Sequence, residues 1–169
     1  AGFNYRLTEI QAAMATEQLK KLELLNGKRL ELVDFLSKGL SQFDYLETPK
    51  GREDCFSTYY VYPLRFIPER VNINRNDFVK AINSEGIQFF QGYVRPLYLQ
   101  PLYQKKHLFK GGYPFNAPEN EGTNQYYEKG TCPVSEKLHY EQMLINEHIR
   151  LPHTIEDMKD IIKVFEKVS

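Results

Sequence analysis

The stretch from Thr58 to Phe90 changes its hydrophobic period twice, and this constrains the fold more than any other feature of the chain. Thr58 to Ile67 is rich in β-branched and aromatic residues, which suit a pleated, half-buried surface, and Pro68 ends it. Asn74, with Asp77 three residues on, marks a helix start. Phe78, Val79 and Ile82 recur at helical spacing, and Gly86 is placed to terminate the helix. Ile87 to Phe90 reads as a short strand again. Strand, helix, strand in that order is a unit of α/β architecture.

Helical text flanks this unit. Thr8 and Gln11 have capping-box spacing, and Ile10, Ala13, Met14, Leu22 and Leu25 make an apolar stripe, so a helix is predicted from about Thr8 to Leu25. Ala12, Ala13 and Ala15 permit close approach of another backbone. Asn26-Gly27 is placed to bend or break this helix. A second helix is predicted over Lys28 to Phe43, with Leu32, Val33, Leu36, Leu40 and Phe43 on one side and alternating Lys and Glu on the others. Pro49 to Asp54 reads as a loop. Towards the other end, Pro133 to Leu144 is helical in pattern and Ile145 to Leu151 reads as a strand. Thr154 with Asp157 opens a last helix whose apolar side is Ile155, Met158, Ile161, Ile162 and Phe165. Prolines and glycines punctuate Gly92 to Gly130, too long a stretch for an ordinary connector; such segments are functional or disordered.

A chain of 169 residues suits one domain, or one domain with an appendage. Zero formal charge gives no basic excess for a nucleic acid or an anionic membrane surface, so neither is expected as a partner. No apolar run approaches the roughly 20 residues of a membrane helix. The start, Ala1 to Gln11, has no signal-peptide core, which suggests a cytoplasmic protein; beginning on Ala-Gly, it also suggests an internal starting point. The two cysteines, Cys55 and Cys132, form no zinc pattern and read as reduced thiols, with one disulfide as the alternative. His107, His139, His148 and His153 lack metal-ligand spacing and read as surface or capping residues, so no metal site is expected. Aromatic content is the unusual term: 12 Tyr and 11 Phe without Trp. Many tyrosines fall in Ser57 to Tyr62 and Phe89 to Tyr103, where an apolar ring with a polar tip serves packing or ligand contact.

Phosphate-cradling glycine loops, paired-histidine metal motifs and nucleophile elbows are absent. One block is specific. Gly2-Phe3-Asn4-Tyr5-Arg6-Leu7-Thr8-Glu9-Ile10-Gln11-Ala12-Ala13 resembles the G-x-N-x-R signature, running on to Q-A-A, of the DegT/StrS-type nucleotide-sugar aminotransferases. Gln18 to Leu22 and Asn26 to Arg29 continue the likeness. Pro96-Leu97-Tyr98-Leu99-Gln100-Pro101 is similar to the family's P-x-H-x-Q-P segment. Cys132 to Leu138 and Thr154 to Val168 are similar to its last two helices, so the likeness runs along the whole chain in order.

The resemblance implies a fold and a function. The fold would be α/β: the small C-terminal domain of an aspartate-aminotransferase-like enzyme, a short antiparallel or mixed sheet flanked by helices after a long N-terminal helical segment. Residues 1–45 would form the interdomain helical segment and 46–169 the small domain. The large domain that holds pyridoxal 5'-phosphate (PLP) and its Schiff-base lysine would lie outside the chain, so no catalytic residue is assigned and the isolated chain is expected to be inactive. The activity implied is amino transfer from an amino-acid donor to a nucleotide-linked keto sugar, in a homodimer. The alternatives are a PLP-dependent keto-sugar 3-dehydratase of the same family, or a non-catalytic binding module. Asn4 and Arg6 match the loop that crosses to the neighbour's cofactor site, where an amide and a guanidinium fork suit phosphate; otherwise they are a turn residue and a surface charge. Tyr93, Arg95 and Tyr98 match the segment facing the sugar. Gly92 and Tyr98 stand where many members carry histidine, which leaves the sugar open, and core packing of Tyr98 or a solvated Arg95 remains the alternative.

Overall fold

A computed structural model describes residues 5–106, 108–122 and 127–169. Asn4 and His107 lie outside the described residues.

Four strands form one sheet: β1 (Leu46–Glu47), β2 (Tyr62–Phe66), β3 (Phe90–Gln91) and β4 (Met143–Asn146), in the order β1-β2-β4-β3. Every pairing is antiparallel. Because β2 and β3 each run antiparallel to β4 between them, they are parallel to one another. Helix α3 (Arg75–Ser84) connects them, so the strand–helix–strand unit is present in its split form. Alternation along β2 sends Tyr62, Leu64 and Phe66 into the core and leaves Arg65 exposed. Onto that side pack the second half of α2 (Leu22–Leu40), α3 and α6 (Ile155–Val168), with Leu36, Leu40, Phe78, Ile82, Met158 and Phe165 all buried. Phe66 stacks on Phe78 with centroids 4.6 Å apart, and Phe165 meets Phe78 and Phe89 edge-on.

Local capping chemistry fixes the helix starts where the sequence puts them. Thr8 and Gln11 close a capping box on α1 (Glu9–Leu19). The Asn74 side chain accepts the Asp77 N–H at 2.9 Å. The Asp157 carboxylate accepts the Thr154 N–H at 2.7 Å. Gly86, at φ +88°, follows the end of α3.

Several boundaries differ from the sequence reading, each for a nonlocal reason. The break between the first two helices comes at Lys20-Lys21, and α2 runs through Asn26-Gly27. A glycine inside a helix costs about 1 kcal/mol, and burial of Leu32, Val33, Leu36 and Leu40 further along outweighs it. The strand predicted from Thr58 starts only at Tyr62, because Tyr59 takes a left-handed conformation at φ +48°. The strand predicted over Ile87 to Phe90 pairs only at Phe90-Gln91, since Asn83 takes both the N–H and the carbonyl of Phe89. The helix predicted from Pro133 to Leu144 is α5 (Pro133–Lys137) followed by a widened π turn (Leu138–Gln142), and β4 begins two residues before the predicted strand. There Arg75, buried in α3, donates to the carbonyls of His139, Tyr140 and Met143 and ends the helix early. The two-residue β1 has no signal in the sequence pattern.

The segment from Gly92 to Gly130 has short helical turns, including α4 (Pro101–Lys105), and an aromatic cluster of Tyr103, Phe115 and Tyr127 with centroids 5.2–6.3 Å apart. It therefore packs partly on itself, as compact surface loops do. Among the described residues, no helix is long and apolar enough to cross a membrane.

Candidate functional site

Helices α2, α3 and α6 cover one face of the sheet; the other carries a groove closed in part by α5 and the π turn. In the register, Pro63 lies opposite Ile145, and Phe90 lies on the other side of Ile145. Pro63, Ile145 and Met143 line a groove of about 380 Å³, bordered by Tyr60, Tyr93, Val94 and Pro96 on one side and by Leu138 and His139 on the other. A second hollow of about 560 Å³, containing Phe90, Gly92 and Glu147, shares Tyr93, Val94 and Ile145 with it. The second hollow lies at the β3 edge beside Val79 and Asn83 of α3; the groove itself has an apolar bed with a few polar tips, the usual composition of a small-molecule site.

Gly92 joins β3 to this face. Its N–H donates to the Met143 carbonyl at 2.7 Å, extending the β3–β4 pairing by one residue. Its φ is +66°, and a Cβ there would lie 2.6 Å from the His139 carbonyl oxygen and 2.9 Å from His139 Nδ1. Only glycine fits. The His139 Nδ1 is buried and, among the described residues, has no hydrogen-bond partner. Burial, with Arg75 and Arg95 nearby, holds the imidazole below its ordinary pKa, so the ring is neutral at physiological pH. His139 is partly exposed, and the π turn brings its ring against Gly92 at the groove.

Of the three residues expected to contact substrate, Tyr93 lines the groove. Its hydroxyl lies 2.8 Å from that of Tyr60, and this bond raises the Tyr93 pKa. Arg95 has an exposed side chain beyond Tyr93, and its carbonyl accepts from Gln100 Nε2 at 3.0 Å. Tyr98 does not line the groove. Its hydroxyl donates to the Glu136 carboxylate and accepts the Cys132 N–H at 3.3 Å. Burial and the carboxylate push the Tyr98 phenol up to about 12. Glu136 also accepts the Gly130 N–H at 2.6 Å, and the Tyr98 and Gly130 bonds hold its carboxyl below the usual range. One buried carboxylate thus ties Tyr98 to Gly130, near the two ends of the long segment. Arg6 is exposed two residues before the Thr8 cap and is not part of the groove lining.

Elsewhere, a hollow of about 370 Å³ beside α6 contains His148, His153, Asp157 and Asp160. Among the described residues, no cluster of three or more His, Cys, Asp or Glu is arranged to hold a metal ion. Cys55 and Cys132 are free and exposed.

A profile of the DegT/DnrJ/EryC1/StrS aminotransferase family matches residues 1–167. The chain belongs to this family. Its relatives include the UDP-4-amino-4,6-dideoxy-N-acetyl-beta-L-altrosamine transaminase of Campylobacter jejuni, 30% identical over 104 residues, which cover 62% of this chain and 27% of that protein. In fold it is similar to DesV of S. venezuelae, solved in complex with a ketimine intermediate (TM-score 0.69, 23% identity, covering 98% of this chain and 38% of that one). It is also similar to NtdA of Bacillus subtilis, solved with bound cofactor PMP (TM-score 0.63, 24% identity, covering 99% and 34%). The chain spans well under half the length of these proteins.

Four residues of this family member escaped the sequence reading. Tyr60 stood within the aromatic run Ser57 to Tyr62, which signalled ring content but no partner. Arg75, Glu136 and His139 carried no local signal, because each meets a partner on a different element.

Proposed function

We propose that this chain is the small-domain portion of a PLP-dependent aminotransferase. The enzyme passes an amino group from glutamate or a similar donor to a nucleotide-linked keto sugar, in cytoplasmic surface-polysaccharide or related sugar biosynthesis. The observation that carries the reading is the aromatic groove on the sheet face opposite α2, α3 and α6, bordered by Tyr93 in a chain whose family is one of aminotransferases. Apolar surface suits the faces of a sugar ring, and the phenol tips suit its hydroxyls. Arg95 beyond the groove offers a fork for the diphosphate, and Tyr98, tied to Glu136, holds the segment that carries both.

PLP has two handles, an aldehyde that calls for a lysine and a phosphate that calls for donors. Among the described residues every lysine is exposed, and none lines the groove. The phosphate is the handle this chain fits: Arg6 has the right donor set, and with Asn4 would reach it across the interface of a homodimer. When bound, PLP supplies the electron sink for amino transfer. This chain's own part is to bind and orient the sugar, with the neutral His139 ring adding no charge beside it.

The test is turnover by the complete enzyme with glutamate and a panel of nucleotide-linked keto sugars, read by mass spectrometry of the products. An amino group should replace the oxo oxygen in at least one sugar. Turnover confined to simple keto acids would contradict the reading.

A further inference from the structure

Tyr60 and Tyr93 come from different elements, one from the loop before β2 and the other from the turn after β3, yet their hydroxyls meet at 2.8 Å. Both rings remain accessible, Tyr60 at 66% and Tyr93 at 45%. The packing tyrosines of this chain behave differently. Tyr62 is buried with its hydroxyl on Ser37, and Tyr45 is buried with its hydroxyl on the Phe165 carbonyl. A hydrogen bond between two wet phenols adds little to stability, because water competes for both groups. What the pair does is fix two polar tips over the groove that both rings border.

We propose that Tyr60 is a substrate-contacting residue acting with Tyr93 as one hydrogen-bonded unit, which receives a ring hydroxyl of the sugar. This rests on the groove being the sugar site, as proposed above. The donor inventory sets the ligand class. Two phenols bring two O–H donors; their mutual bond uses one and leaves one donor with free lone pairs. A sugar hydroxyl, both donor and acceptor, satisfies that set, whereas a carboxylate or phosphate only accepts. Glu147 near Tyr93 further disfavours an anion there. Either hydroxyl can be the donor within the pair, and the proton of the other remains for the ligand.

Tyr60→Phe, Tyr93→Phe and the double variant in the complete enzyme separate the possibilities. Each single change should lower kcat/KM for the nucleotide-linked sugar about tenfold, as for one lost hydrogen bond. The double variant should be little worse than either single, the mark of residues acting as a unit. Thermal midpoints should stay at the wild-type value. In addition, Tyr60→Phe should bring the Tyr93 phenol back towards its ordinary value of 10.0, seen by NMR of labelled tyrosine. If Tyr93→Phe is impaired and Tyr60→Phe is normal, the sugar site stands and the role of Tyr60 falls. Additive losses, about a hundredfold in the double variant, would overturn the unit. Normal turnover in all three variants would remove both this proposal and the groove as the sugar site. A lowered thermal midpoint in Tyr60→Phe, matching its loss of turnover, would assign the pair to packing and overturn it too.

Discussion

Glu136 accepts from Tyr98 and from the Gly130 N–H, and removing one donor should be felt in stability rather than at the sugar. Its carboxyl is held below its ordinary value of 4.5, so the stability it contributes is complete above that value and is lost as pH falls through the depressed folded pKa. Tyr98→Phe should therefore lower the thermal midpoint most at neutral pH. The gap to wild type should narrow once the medium is more acidic than pH 4.5. A gap of the same size at neutral and strongly acidic pH would show that the carboxylate is not the partner that matters. Tyr98 and Tyr93 thus have different local surroundings, although the resemblance assigned both to the sugar and only their partners in space separate them.

Among the elements, the caps were legible and the ends were not. Thr8 with Gln11, Asn74 with Asp77, and Thr154 with Asp157 are local pairs three residues apart, so the sequence contains the whole interaction. The end of α5 depends on Arg75, which reaches carbonyls 64, 65 and 68 residues further along. No window of sequence contains both partners. Arg75 is 5% exposed, and its guanidinium ties α3 to the π turn that carries His139. Arg75→Ala would take this donor from the His139 and Tyr140 carbonyls, while the Met143 carbonyl keeps the Gly92 N–H, at a cost on the order of 3 kcal/mol. Urea denaturation should show this as a lower midpoint with an unchanged slope. A loss below about 0.5 kcal/mol, the size of an ordinary surface substitution, would mean that other groups satisfy the turn.

Across the whole molecule, apolar surface is distributed unevenly. Leu7, Ile10, Met14, Leu19, Leu22 and Leu24 are exposed, and α1 has no buried residue. The single stripe expected over Thr8 to Leu25 is split by the break at Lys20-Lys21, and among the described residues Ile10, Met14 and Leu22 have no core to cover; exposed apolar surface of this kind marks an interaction face. The α/β class and the helical core faces were legible because period and composition are local. The groove was only half legible: Tyr93 came from the resemblance, whereas Tyr60 and His139 join it through the register of β2, β3 and β4. On the proposed reading, the sheet face opposite α2, α3 and α6 is the sugar-binding wall of an aminotransferase. Hydrogen exchange of the complete enzyme, with and without its aminated nucleotide-sugar product, tests it most directly. Binding should protect amides in segments 60–62 and 90–95 and leave α6 unchanged. Protection around His148, His153 and Asp157, with 90–95 exchanging as before, would put the ligand on the other side of the domain and contradict the account.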